Sequence, residues 1–145
     1  MSDISNFQTN YPLGDVVLLT AQTLAMDTQN ESIFAAFCPS EDFTATTVGF
    51  ICASKTGTAA NDSYTVSIQT INTSGVPDGT ILGGGSPASQ TFPNATYPDA
   101  GFGTNTAHAI ALANSIALQQ GTWYALVVRR TGATDASNFY TLRSG

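Results

Sequence analysis

From Tyr64 to Leu82 the chain alternates with a period of two: Tyr64, Val66, Ile68 and Thr70 fall on one side, and Thr65, Ser67 and Gln69 on the other. That is the pattern of a half-buried strand. Val76, Pro77, Asp78 and Gly79 then read as a turn, with proline presetting φ, aspartate suiting the next position and glycine taking the positive φ of a bulged hairpin. A second strand runs on to Leu82. Weaker versions of the pattern recur along the chain. Asp15 to Gln22 holds the apolar run VVLLTA and predicts a first strand; Ser32 to Cys38 predicts a strand buried on both faces; Phe43 to Ser54 predicts another, with Val48, Phe50 and Cys52 on one side.

Lys55 to Asp62 reads as a Gly, Thr and Asn loop that leaves Lys55 in solvent. Gly83 to Ala107 is irregular, with three prolines and the aromatics Phe92, Tyr97 and Phe102, and Ser89 to Phe92 is its one strand-like piece. A connection this long is more often functional than idle. HAIALANSIALQQ, from His108 to Gln120, is rich enough in Ala and Leu for a helix with Ile110, Ala113, Ala117 and Leu118 on one side. Asn114 and Ser115 interrupt it and its neighbours are all β, so it reads as strand. TWYALVVRR predicts a strand with Trp123, Ala125 and Val127 on one face, Trp123 in the core, and Tyr124, Leu126 and Val128 on the other face; Phe139 to Leu142 closes the series. Short strands about ten residues apart predict an all-β fold: a single antiparallel β-sandwich, jelly-roll-like, over residues 15–145. Residues 1–14, polar and ending in YPLG, predict an extended N-terminal arm.

Composition narrows the function. The chain has 145 residues, enough for one core without staples. Only 10% of residues are charged, against roughly 25% in ordinary soluble domains, so Thr, Ser, Asn, Gln and Gly must cover the surface. The net charge is −6, and Lys55 is the only base before Arg129. Nucleic-acid binding needs clustered cations, so no nucleic-acid partner is expected; Arg129 and Arg130 make a pair and not a patch. No apolar run is long enough to span a membrane. The N-terminal stretch lacks the basic region and apolar core of a secretory leader, which fits assembly in a cytoplasm or a leader outside this sequence. The sequons at Asn30, Asn61, Asn72 and Asn94 arise readily by chance in such a composition.

Catalytic inventory is thin. Cys38 and Cys52 read as free buried thiols: a simple hairpin between their strands would set Cys38 opposite about Val48 and Cys52 opposite about Phe34, beyond bridging reach. His108 is the one histidine, on a predicted strand with no nucleophile or acid to work with. Glu41, Asp42, Asp78 and Asp99 could supply a carboxylate pair for glycoside hydrolysis, but each sits in a turn-like context that explains it. GTILGGGSP lacks the Lys-Ser/Thr ending of a phosphate loop. No cofactor is expected; structural calcium on loop Asp and Asn oxygens is the one inorganic option, without the D-x-D-x-D-G spacing.

Gly75, Val76, Pro77, Asp78, Gly79 and Thr80, followed by Leu118, Gly121, Thr122 and Tyr124 in an L-x-x-G-T-x-Y arrangement, resemble jelly-roll modules of phage tail, fibre and capsid-decoration proteins and of carbohydrate-binding-like bacterial surface proteins. Ser32 to Ser54 is similar to the second and third strands of such modules. The resemblance implies a non-enzymatic virion structural module that acts in particle assembly, stabilisation or attachment. Its partners would be other virion proteins or further copies of itself in a symmetric oligomer, docked through the arm residues Phe7, Tyr11, Pro12 and Leu13. The alternative is a glycan-binding module of a bacterial or phage surface protein. There, sugar C–H faces would stack on aromatic rings and hydroxyls would meet polar groups, making Tyr97, Asp99, Phe102 and Trp123 the candidate contacts.

Overall fold

A computed structural model describes residues 15–17, 22–58, 63–103 and 105–144. The arm, with Phe7, Tyr11, Pro12 and Leu13, lies outside them. Among the described residues ten strands form: β1 (Asp15–Val17), β2 (Gln22–Ala25), β3 (Ser32–Phe37), β4 (Phe43–Thr56), β5 (Tyr64–Ile71), β6 (Pro77–Ile81), β7 (Ser89–Phe92), β8 (Thr106–Leu118), β9 (Tyr124–Arg130) and β10 (Phe139–Ser144). The described residues contain no α-helix, and a single 3-10 turn at Asp99–Gly101 interrupts the long connection. The alternating reading of His108 to Gln120 therefore holds, and β8 begins two residues earlier than the pattern suggests.

β4 is the spine of the first sheet. β8 pairs along one of its edges; β10 and a short parallel strand, β1, share the other, with β2 outside β10. The second sheet runs β3, β9, β5, with β6 and β7 sharing the far edge of β5. Successive strands cross between sheets: β2 to β3, β3 to β4, β4 to β5, β7 to β8, β8 to β9 and β9 to β10. The order β2-β10-β4-β8 facing β3-β9-β5-β7 is the winding of a jelly roll.

Alternation fills the space between the sheets. Val48, Phe50 and Cys52 from β4 meet Tyr64, Val66 and Ile68 from β5, and all six are completely buried. Tyr124, Leu126 and Val128 of β9 join the same core. At one end the aromatic rings gather: Phe92 lies 5.1 Å from Phe50 and 5.5 Å from Tyr64, and Tyr64 lies 4.9 Å from Tyr140, centroid to centroid. Such contacts add about 0.5–1.5 kcal/mol per pair beyond area burial.

Four local expectations are corrected. β3 does not pair with β4; it pairs with β9 in the other sheet, Phe37 opposite Tyr124. Cys38 and Cys52 are free, but because their strands lie in different layers, and only Cys52 is buried. Of the predicted first strand from Asp15 to Gln22, the described residues fall in two elements, Asp15–Val17 in β1, paired with β4, and Gln22 in β2, paired with β10. The hairpin turn lies earlier than Val76–Gly79. Asn72 accepts at its side-chain oxygen from the Ser74 and Val76 amides at 2.9 and 3.3 Å, an Asx turn closed by Gly75 at φ +78°. Pro77, Asp78 and Gly79 belong to β6, an edge strand, where a proline without an N–H is tolerated.

Candidate functional site

The long connection between β7 and β8 is fastened to the core at each of its candidate residues. Tyr97 is half-buried, and its hydroxyl accepts from the Ala111 amide at 2.7 Å. That covers part of the edge of β8, where an unpaired N–H would otherwise invite another strand. Asp99 receives Lys55 Nζ at 2.9 Å on one carboxylate oxygen and the Tyr140 hydroxyl at 2.5 Å on the other. Lys55 also donates to the Asp99 carbonyl at 3.2 Å. Lys55 is therefore not a solvated loop residue: β4 runs to Thr56 and delivers its amine to the 3-10 turn, where its side chain is 25% exposed. Phe102 is buried, 5.1 Å from Tyr140 and 4.8 Å from His108 between ring centroids.

Around the Lys55–Asp99 ion pair, three titratable groups, Tyr140, Cys52 and His108, are shifted toward their neutral forms. Burial, then the hydrogen bond to Asp99, pushes the Tyr140 hydroxyl far above its ordinary range. Burial also lifts the Cys52 thiol to about 11, so it is protonated at neutral pH and a poor nucleophile. Burial lowers His108 below its ordinary value, against a contact with the Gly103 backbone that raises it. Its Nε2 is buried with no hydrogen-bond partner among the described residues. No three metal-ligating side chains gather among the described residues. The chemistry of this end is that of a clasp.

Trp123 is elsewhere. It precedes β9, 40% exposed, and is not in the core. The strand starts one residue later than its apolar pattern suggests, which leaves the indole on the connection from β8. Tyr64 pairs with Arg130 at the opposite end of β9, seven residues along, so Trp123 and the Asp99 clasp are separated by about 20 Å of strand. The four sequence candidates do not form one site.

The two adjacent arginines part company through strand alternation. Arg130 points inward and is fully buried. It donates to the carbonyls of Met26, Asn138 and Ala133 at 2.6, 3.3 and 2.7 Å and to the Tyr64 hydroxyl at 3.0 Å, knitting the β2–β3 and β9–β10 connections to the start of β5. Arg129 points outward, is exposed, and donates to Asn30 Oδ1 at 2.8 Å.

Arg129 belongs to an open groove of about 460 Å³ on the outer face of the second sheet. Ser32 and Phe34 of β3, Val127 of β9, Thr65, Ser67 and Gln69 of β5, and Pro77, Gly79 and Ile81 of β6 line it. The alternation that sends Tyr64, Val66 and Ile68 into the core sends Thr65, Ser67 and Gln69 here. Although outward, Ser67 and Gln69 are buried, 2% and 8% exposed, and Gln69 Nε2 donates to Ser67 Oγ at 3.0 Å. The Asx turn and β6 stand beside them as a wall; Thr70 donates to the Asp78 carboxylate at 2.7 Å, tying that wall to β5. One aromatic face, several neutral donors and acceptors and a single cation make a surface that can hold a flat, hydroxyl-rich molecule.

Sequence reasoning missed Phe34, Ser67, Gln69 and Arg129 as site residues. The signal for the polar ones was present, since Thr65, Ser67 and Gln69 are the polar half of the clearest alternating segment. Comparison of the chain with protein-family models, with characterised proteins and with solved structures found no match to any of them. What stands in their place is the class: an all-β sandwich of two packed sheets.

Proposed function

We propose that the protein is a non-enzymatic attachment module that holds a glycan against the outer face of its second sheet. The groove carries this reading: it combines the half-buried Phe34 with the polar side chains of Ser67 and Gln69 on the sheet and of Asn30 in the turn before β3, where ring faces stack and hydroxyls find partners on strands that need no loop reordering. Trp123, exposed one residue before β9 begins, would be a second ring for such a ligand beyond the groove. Phe34→Ala and Gln69→Ala are expected to abolish glycan-array binding while melting stays cooperative. A flat array for the wild type overturns the reading.

The setting we propose is a virion, as a capsid-decoration, tail or fibre component. The resemblance of the Gly75–Thr80 and Leu118–Tyr124 segments supports it, together with a low-charge surface suited to an extracellular particle. Copurification with virus particles, lost on deletion of residues 1–14, is the expected result. Full particle occupancy by the truncated chain speaks against docking through the arm.

A further inference from the structure

Among the residues lining the groove, Arg129 is the only ionisable one. Its guanidinium faces a neutral acceptor, Asn30 Oδ1, at 2.8 Å, which occupies one of its five N–H groups. The one ion pair among the described residues is Lys55 with Asp99, at the other face of the fold's chemistry, so no described carboxylate bridges to Arg129. The chain as a whole carries a net charge of −6. Among the described residues this is an exposed cation alone in an uncharged groove, on a protein of net negative charge, and a place for an anionic group. A planar guanidinium with free N–H groups matches a carboxylate, which it can take through two parallel hydrogen bonds.

We propose that the ligand of the groove is an acidic glycan, one bearing a sugar carboxylate as in a uronic acid. Its carboxylate sits on Arg129 and its neutral rings run along Phe34, Ser67 and Gln69. This inference rests on the glycan reading above and adds the ligand's charge and the residue that selects it. The neutral groups of the groove supply contact that many sugars can share; Arg129 supplies the discrimination.

Titration calorimetry with the full chain tests it, using a panel of uronic-acid oligosaccharides and the same oligosaccharides with their carboxylates reduced to alcohols. The wild type is expected to bind an acidic member about tenfold more tightly than its reduced counterpart, the size of one charge-assisted contact. Arg129→Gln should bring the two affinities together at the weaker value, and Arg129→Lys, which keeps the charge without the fork, should fall between. Both variants should melt as the wild type does, since Arg129 is exposed. Equal wild-type affinities for the acidic and reduced oligosaccharides overturn the inference and leave the glycan reading standing. An acid preference that survives in Arg129→Gln overturns it as well, because the carboxylate then sits elsewhere. Binding of neither kind overturns both.

Discussion

The connection between β7 and β8 and the outer face of the second sheet invert what their residue types suggest. The connection holds the side chains that look chemical, Asp99, Tyr97 and nearby Lys55, Tyr140 and His108, and nearly all of them are occupied by one another or by backbone. The outer face is lined by Ser, Thr, Gln, Phe and Val, residues that draw no notice in a sequence, and it is there that polar groups and a ring remain open to a visitor. The lesson is that a reactive residue type says little until its partners are counted. A charge that is paired and buried organises the fold, and a groove lined by uncharged side chains is where a ligand can lie.

Substitutions should separate the two regions, and the largest effect belongs to the clasped end. Arg130→Met removes the donors from the carbonyls of Met26, Ala133 and Asn138. Buried acceptors left without partners cost about 1–3 kcal/mol each, so a loss of about 3 kcal/mol or more is expected, read in chemical denaturation, with a melting point lower by about 10 °C. A loss under about 1 kcal/mol would mean that water replaces the guanidinium and that the end is looser than described. Asp99→Ala comes next, at about 2 kcal/mol, since it strands both the buried Tyr140 hydroxyl and Lys55. Glycan affinity should not change in either variant; a parallel loss of binding would join the two regions and break the comparison.

Acid should also act on the clasped end first. His108 has a folded-state value below its ordinary 6.5 because burial disfavours the imidazolium. The unfolded chain therefore binds the proton more readily, and stability falls as pH drops below about 6.5, levelling off beneath the lowered value. Asp78 and Asp135 are held below their ordinary 3.8 by hydrogen bonds to Thr70 and Asn138 first. Their contribution is present above that value and disappears only in stronger acid. His108→Phe should flatten the melting-point profile between pH 6.5 and 4 and leave the steeper loss below. An unchanged profile would place the proton uptake elsewhere.

The smallest stability effects are expected on the outer face. Phe34→Ala, at a half-buried position, should cost about 1 kcal/mol, and Trp123→Ala within about 0.5 kcal/mol, the range of exposed substitutions. Their effect on glycan binding should run the other way and be complete for Phe34. If Trp123→Ala leaves affinity intact, the ligand does not reach that ring beyond the groove.

Periodicity alone identified most of the strands, including β5, β8 and β9, and the inward rows of β5 and β8, because a strand with one face in a core must alternate and these residues do; for β9 it separated the two faces but put Trp123 in the core, whereas Tyr124, Leu126 and Val128 turn inward. It also marked the hairpin after β5, although Asn72 drew the turn four residues upstream of the place that Pro77 and Gly79 suggest. Of the glycan candidates, Tyr97, Asp99 and Phe102 stand out by residue type in an irregular stretch and Trp123 by residue type on a predicted strand. That criterion found Trp123, which is exposed, and also picked Phe102, which is buried.

Alternation is a local property, and the sequence by itself determined that this protein is built of strands, which residues of a strand share a face, and that its surface would be nearly free of charge. Which strands meet was decided only in three dimensions. β3 chose β9, almost a hundred residues away, over its neighbour β4; β4 outran its predicted end and carried Lys55 to Asp99; and β3, β5, β6 and β9 assembled a groove from residues that no local pattern connects. Strand pairing depends on contacts between distant segments, and those same contacts decide whether a polar side chain finds a partner inside the protein or keeps its hydrogen bonds for a ligand.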